Sequence, residues 1–73
     1  MYHYYEQAKK ISKNHYKTKN GLRKAIERVQ NIYLEARKKE KNTINTSLHE
    51  NAIFDTCYVM EVLDFMQIRL HEW

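Results

Sequence analysis

The stretch from Lys9 to Lys24 carries the residue types that most clearly suggest chemistry. Seven basic residues stand there without an intervening acid, and they are Lys9, Lys10, Lys13, Lys17, Lys19, Arg23 and Lys24. The nearby tyrosines are Tyr2, Tyr4, Tyr5 and Tyr16. Lysines that neutralise phosphates, beside aromatic rings that stack on bases, are the physical ingredients of nucleic-acid binding. The same pattern is typical of a solvated helix face whose tyrosines anchor the helix start in the core.

The basic pattern does not match a helix-turn-helix. The second helical segment is too long for that motif, and Lys17 stands where a small residue usually precedes the turn glycine. On the second segment Glu27 and Glu35 interrupt the basic side chains. Binding of a partner protein is therefore favoured over nucleic-acid binding, and the candidate targets of the run itself are an acidic protein surface and phosphates.

No arrangement of residues indicates catalysis or metal binding. The histidines His3, His15, His49 and His71 are scattered, and none has a ligand at metal-binding spacing. Glu61 and Asp64 are one helical turn apart and could form a carboxylate pair, but that spacing is more often the wet seam of a helix. We expect no enzyme, no metal, no cofactor and no small-molecule substrate.

The last third of the chain, Thr46 to Trp73, reads as one long helix around which the others are arranged. Ser47 and Glu50 have the spacing of a capping box, with Thr46 as an alternative cap. One side of this helix carries an apolar stripe made of Leu48, Ala52, Val59, Val62, Leu63, Met66, Leu70 and Trp73.

The same helix carries two further apolar sets. One consists of Phe54, Tyr58 and Phe65, and the other of Ile53, Cys57, Met60 and Ile68. A helix that is apolar nearly all round is usually buried, which a chain of 73 residues can achieve only with a partner. We therefore predict a homodimer through the Phe54, Tyr58 and Phe65 side, with Cys57 as a small buried hydrophobic residue.

Asp55 is the unusual residue of this helix, because it falls inside the apolar stripe. A buried carboxylate is costly unless it is paired. Two interpretations remain: a salt bridge to a lysine or arginine of the first two helices, or a place at the edge of the stripe. The edge is favoured.

Two amphipathic helices precede the long one. The first has Tyr4, Tyr5, Ala8, Ile11 and His15 on one face. The second has a clean stripe made of Leu22, Ala25, Ile26, Val29, Ile32, Tyr33 and Ala36, while Leu34 points away from it. Thr18 or Asn20 is the expected cap of the second helix, and Asn20-Gly21 favours a positive φ at the turn or the cap.

These elements predict an all-α fold in a single domain over residues 1–73. The helices are expected at about 2–16, 21–41 and 47–72, in an up-down-up bundle completed by dimerisation through the third helix. Residues 1–43 hold twelve basic against four acidic residues, a net of +8, and residues 44–73 hold one against five, a net of −4. The opposite charges favour folding back of the chain on itself.

The absence of a signal-like or membrane-spanning stretch and the single cysteine predict a cytoplasmic protein without membrane contact. The expected function is that of a small interaction protein, an inhibitor, immunity or regulatory protein of the kind that phages and mobile elements encode. It would bind a partner protein through its basic face and exposed aromatics. The alternative is DNA or RNA binding through the Lys9–Lys24 run.

Overall fold

This computed structural model contains three α-helices within the residues that it describes, which are 2–43 and 46–73. For residues 46–48 it describes the backbone alone. α1 spans His3–Lys13, α2 spans Lys19–Asn42 and α3 spans Thr46–Glu72. The all-α class is confirmed, and no strand occurs within the described ranges. The predicted caps of α3, Thr46 and Ser47, have side chains outside the described set.

α1 is shorter than its predicted span of 2–16. It ends at Lys13, because Asn14 adopts an extended backbone with φ −71° and ψ 147°. The hydroxyl of Tyr16 then donates to the carbonyl of Ile11 at 2.7 Å, which satisfies one acceptor of the last turn. His15, expected on the inner face, lies beyond the helix and is exposed.

α2 is capped by Thr18, one of the two expected caps. Its hydroxyl oxygen accepts the backbone N–H of Gly21 at 3.0 Å. Gly21 lies inside the first helical turn and does not have a positive φ, so the expected Asn-Gly geometry is wrong. A Cβ at this position would lie 3.2 Å from the Thr18 hydroxyl oxygen, so the glycine leaves room for the cap.

The core lies between the three helices. Its buried members are Ala8, Ile11, Leu22, Ala25, Ile26, Val29, Val59, Leu63 and Met66. Val59 and Leu63 were expected in this core and both are buried there. The stripe of α2 is also confirmed from its start to its middle, since Leu22 and Val29 are fully enclosed.

The structure leaves much of α3 uncovered, because α1 and α2 pack against one side of it. Cys57, predicted to be buried in a dimer, is exposed within the single chain. Trp73, expected in the core stripe, is also exposed. Away from the stripe, α3 therefore exposes four large apolar side chains to solvent, namely Phe54, Met60, Phe65 and Ile68.

Asp55 binds the start of α1. Its side chain is 8% exposed, and its two carboxylate oxygens accept the backbone N–H groups of Tyr4 at 3.0 Å and Tyr5 at 2.7 Å. These amides belong to the first turn of α1, whose N–H groups have no partner within the helix. The favoured place at the edge of the stripe is wrong, and the partners are amides instead of a lysine or arginine.

Arg69 binds the other end of α1. Its guanidinium donates to the carbonyl oxygen of Ser12 at 2.8 Å. α3 thus places a carboxylate at the N-terminus of α1 and a cation at its C-terminus. Both charges have the sign that the helix dipole favours.

Candidate interaction surfaces

The surface of α3 that faces away from α1 and α2 combines apolar and acidic side chains. We call it the outer α3 face, and its members are Phe54, Met60, Glu61, Asp64, Phe65 and Ile68. All six are exposed. At 100° per residue they fall within an arc of about 140° on the helix. Apolar side chains gathered on one exposed helix face are typical of a binding surface.

The three residues predicted to form the dimer interface, Phe54, Tyr58 and Phe65, do not all lie on the same exposed surface. Phe54 and Phe65 are 50% and 57% exposed and belong to the outer α3 face. Tyr58 is half-buried, and its ring centroid lies 5.1 Å from that of Tyr2 and 5.2 Å from that of Tyr5. Its ring therefore packs largely against the start of α1, in the geometry of an aromatic cluster.

Phe65 is held from one side by a cation. The guanidinium of Arg69 lies 5.9 Å from the Phe65 ring centroid, within range of a cation–π interaction. Because the same guanidinium donates to the Ser12 carbonyl, the exposed ring is tied to the end of α1. A ring restrained in this way loses less freedom when a partner covers it.

The basic run does not form one continuous patch. Lys10 and Arg28 line a groove of about 450 Å³ between α1 and α2. Lys19 and Arg23 line a separate groove of about 400 Å³ between α2 and α3. The other members of the run are Lys9, which lies 5.7 Å from the Tyr5 ring centroid, and the exposed Lys13, Lys17 and Lys24. The positive charge is therefore spread over two edges of the molecule.

A smaller cavity of about 280 Å³ lies where the start of α1 meets α2 and α3. Asp55 reaches it, but both carboxylate oxygens already accept amides of α1. Lys39 lines it as well, with its ammonium group 5.8 Å from the ring centroid of Tyr4. These contacts stabilise the junction of the three helices.

Sequence reasoning missed one surface on α2. Leu34 is 59% exposed and lines a shallow groove of about 250 Å³ together with Arg37, Lys38 and Lys41. We call these four residues the Leu34 patch. The available signal was an apolar residue off the core stripe, followed at helical spacing by basic residues on the same side.

The described residues contain no group of three or more His, Cys, Asp or Glu side chains placed to hold a metal ion. Glu61 and Asp64, the candidate carboxylate pair, are both exposed on the outer α3 face. Within the described ranges, no helix has both the length and the hydrophobicity needed to span a bilayer. No family model, curated protein or solved structure matches this chain.

Proposed function

We propose that this chain is a small, non-enzymatic interaction protein that acts in the cytoplasm by binding a partner protein. The types that fit are an inhibitor, an immunity protein or a regulator, as phages and mobile elements encode. The outer α3 face carries this proposal, because Phe54, Phe65 and Ile68 are exposed on one helix of a small domain. Larger apolar patches of this kind on soluble proteins mark surfaces that bind other proteins.

The proposal includes an up-down-up order of the helices. Asp55 meets the start of α1 and Arg69 meets its end, so α1 and α3 run in the same direction. The Nδ1 atom of His49 lies 3.2 Å from the carbonyl oxygen of Glu40, so the end of α2 lies close to the start of α3. α2 then runs opposite to both neighbours.

We further propose that a second copy covers part of the outer α3 face. The protein should therefore have a dimer mass in light scattering at micromolar concentration. Replacing both Phe65 and Ile68 by Ser should shift the population toward the monomer, because the apolar area available for contact is reduced. A parent protein that stays monomeric at high concentration would contradict the dimer.

The basic run is proposed to bind an acidic protein surface. Replacing the exposed residues Lys10, Lys13 and Lys17 by Glu should leave the helical circular dichroism signal unchanged, because exposed charges contribute little to stability. Retention on immobilised poly-glutamate should be lost, and the difference from the parent should be larger at low salt than at high salt.

The matched control replaces the same three lysines by Arg, which keeps the charge and should keep the retention. If the Glu variant is retained as strongly as the parent, the basic run serves solubility alone. The function would then lie on the outer α3 face.

Nucleic-acid binding is the second candidate. The observation that favours it is the groove in which Lys19 and Arg23 lie beside Gln67 and His71, because cations and polar side chains there face a common space. A gel-shift assay with a short single-stranded oligonucleotide at two salt concentrations tests it. Binding that weakens steeply with salt supports nucleic acid, since phosphate contacts release counterions. No shift at low salt rejects it.

A further inference from the structure

We infer that the dimer is formed by packing the Leu34 patch of each copy onto the outer α3 face of the other copy. This inference rests on the dimer proposed above and names the two surfaces that meet. Leu34 is the one large exposed hydrophobic residue of the described chain that lies outside the segment from α3 to the C-terminus. It is accompanied by three cations, whereas the apolar residues of the outer α3 face are accompanied by two acids.

A contact of α3 with α3 alone would be opposed by charge. Glu61 lies between Phe54 and Phe65 along the outer α3 face, and Asp64 lies one turn further on. A symmetric contact centred on this face would bring the Glu61 and Asp64 carboxylates of one copy toward those of the other. Like charges placed opposite each other at an interface are strongly unfavourable. The cations of the Leu34 patch remove this conflict.

The arrangement of α2 beside α3 allows both contacts to form at once. Glu40 meets His49 near one end of this helix pair, and Arg23 lines a groove with Gln67 near the other. Counting residues between these two points along the oppositely directed helices puts Arg37 at about the height of Ile53 on α3. Glu61 is about two helical turns further along α3, roughly 12 Å away.

A two-fold axis that passes midway between Arg37 and Glu61 of one copy places Arg37 of each copy opposite Glu61 of the other. The same operation brings Leu34 over the apolar side chains beside Glu61. Such an interface is closed, because each copy uses both surfaces once. It therefore ends at a dimer and leaves the Lys10–Lys13 side of α1 free for the acidic partner.

Charge reversal tests the pairing. Arg37→Glu should raise the dimer dissociation constant in analytical ultracentrifugation by about tenfold or more, because Glu at position 37 then faces Glu61. Glu61→Lys should weaken the dimer similarly, since Lys at position 61 faces Arg37. An equimolar mixture of the two variants should dimerise with an affinity close to that of the parent. A single chain that carries both substitutions should do the same.

Arg28→Glu is the control, because Arg28 is exposed on the edge of α2 that faces α1. It makes the same charge change on the same helix and should leave the dissociation constant unchanged. If Arg37→Glu dimerises as well as the parent, the Leu34 patch is not in the interface, although the dimer itself stands. If the mass of the parent in analytical ultracentrifugation rises above that of a dimer, the two-fold arrangement is contradicted. If the parent is monomeric, both the dimer and this pairing are wrong.

Discussion

Asp55→Ala should lower the free energy of unfolding by about 2–4 kcal/mol, because Asp55 makes two hydrogen bonds of the helix-cap type, each of which contributes roughly 1–2 kcal/mol. The substitution leaves the N–H groups of Tyr4 and Tyr5 without their acceptor. It also removes the negative charge from the N-terminus of α1, where the helix dipole favours it. Urea unfolding followed by circular dichroism measures the loss, which is a large part of the stability of a small domain.

Two variants accompany this measurement. Asp55→Asn retains one acceptor oxygen and should lie between the parent and Asp55→Ala. Glu35→Ala removes an exposed acid of α2 that belongs to neither proposed dimer surface, and it should change the free energy of unfolding by less than about 0.5 kcal/mol. Equal effects of Asp55→Ala and Glu35→Ala would show that the two amide contacts do not stabilise the protein.

Leu63→Ala should lower the free energy of unfolding by about 2–5 kcal/mol, as large-to-small core substitutions do. Leu63 is 6% exposed and packs in the core cluster with Val59 and Met66. Removing its branched end leaves a cavity that neighbouring helices fill only partly. The loss of stability therefore includes the transfer free energy of the removed methyl groups and the cost of the remaining cavity. The measurement is the urea midpoint and slope at one fixed protein concentration, because dimerisation makes stability depend on concentration.

Leu70→Ala is the matched control, since it makes the same substitution at a half-buried position near the end of α3. Its effect should be smaller than that of Leu63→Ala. A urea midpoint unchanged by Leu63→Ala would mean that this side of α3 does not face the core.

The number of helices and the core could be predicted because both follow from local pattern. The apolar spacing around Val29 and Val59 is visible in the sequence, and both are buried. The end of α1 could not be predicted in this way. Asn14 is extended there, and the carbonyl of Ile11 accepts the Tyr16 hydroxyl from beyond the helix.

The outer surfaces were predictable only in part. A helix that is apolar on several sides indicates that other elements must cover it. The pattern does not indicate which of these sides pack against the other helices of the same chain. Tyr58 was expected at an interface and instead packs against Tyr2 and Tyr5, because the start of α1 lies beside it. Cys57 was expected to be buried in a dimer and is exposed in the single chain, because it lies on the side of α3 that α1 and α2 leave uncovered.

Asp55 shows most clearly where local reasoning ends. Its burial violates the hydrophobic pattern, and its partners lie about fifty residues earlier in the chain. No periodicity connects such distant groups. A carboxylate within an apolar stripe indicates that a donor is needed, whereas the identity of the donor depends on the packing of α1 against α3.

The contacts at the two ends of α1 also set an order of events during synthesis. α1 leaves the ribosome before either Asp55 or Arg69 has been made, so its terminal amides and carbonyls must at first be satisfied by water. An isolated helix of 11 residues is marginal in water. α1 is thus synthesised before α2 and α3, but it gains both end contacts only after α3 has emerged.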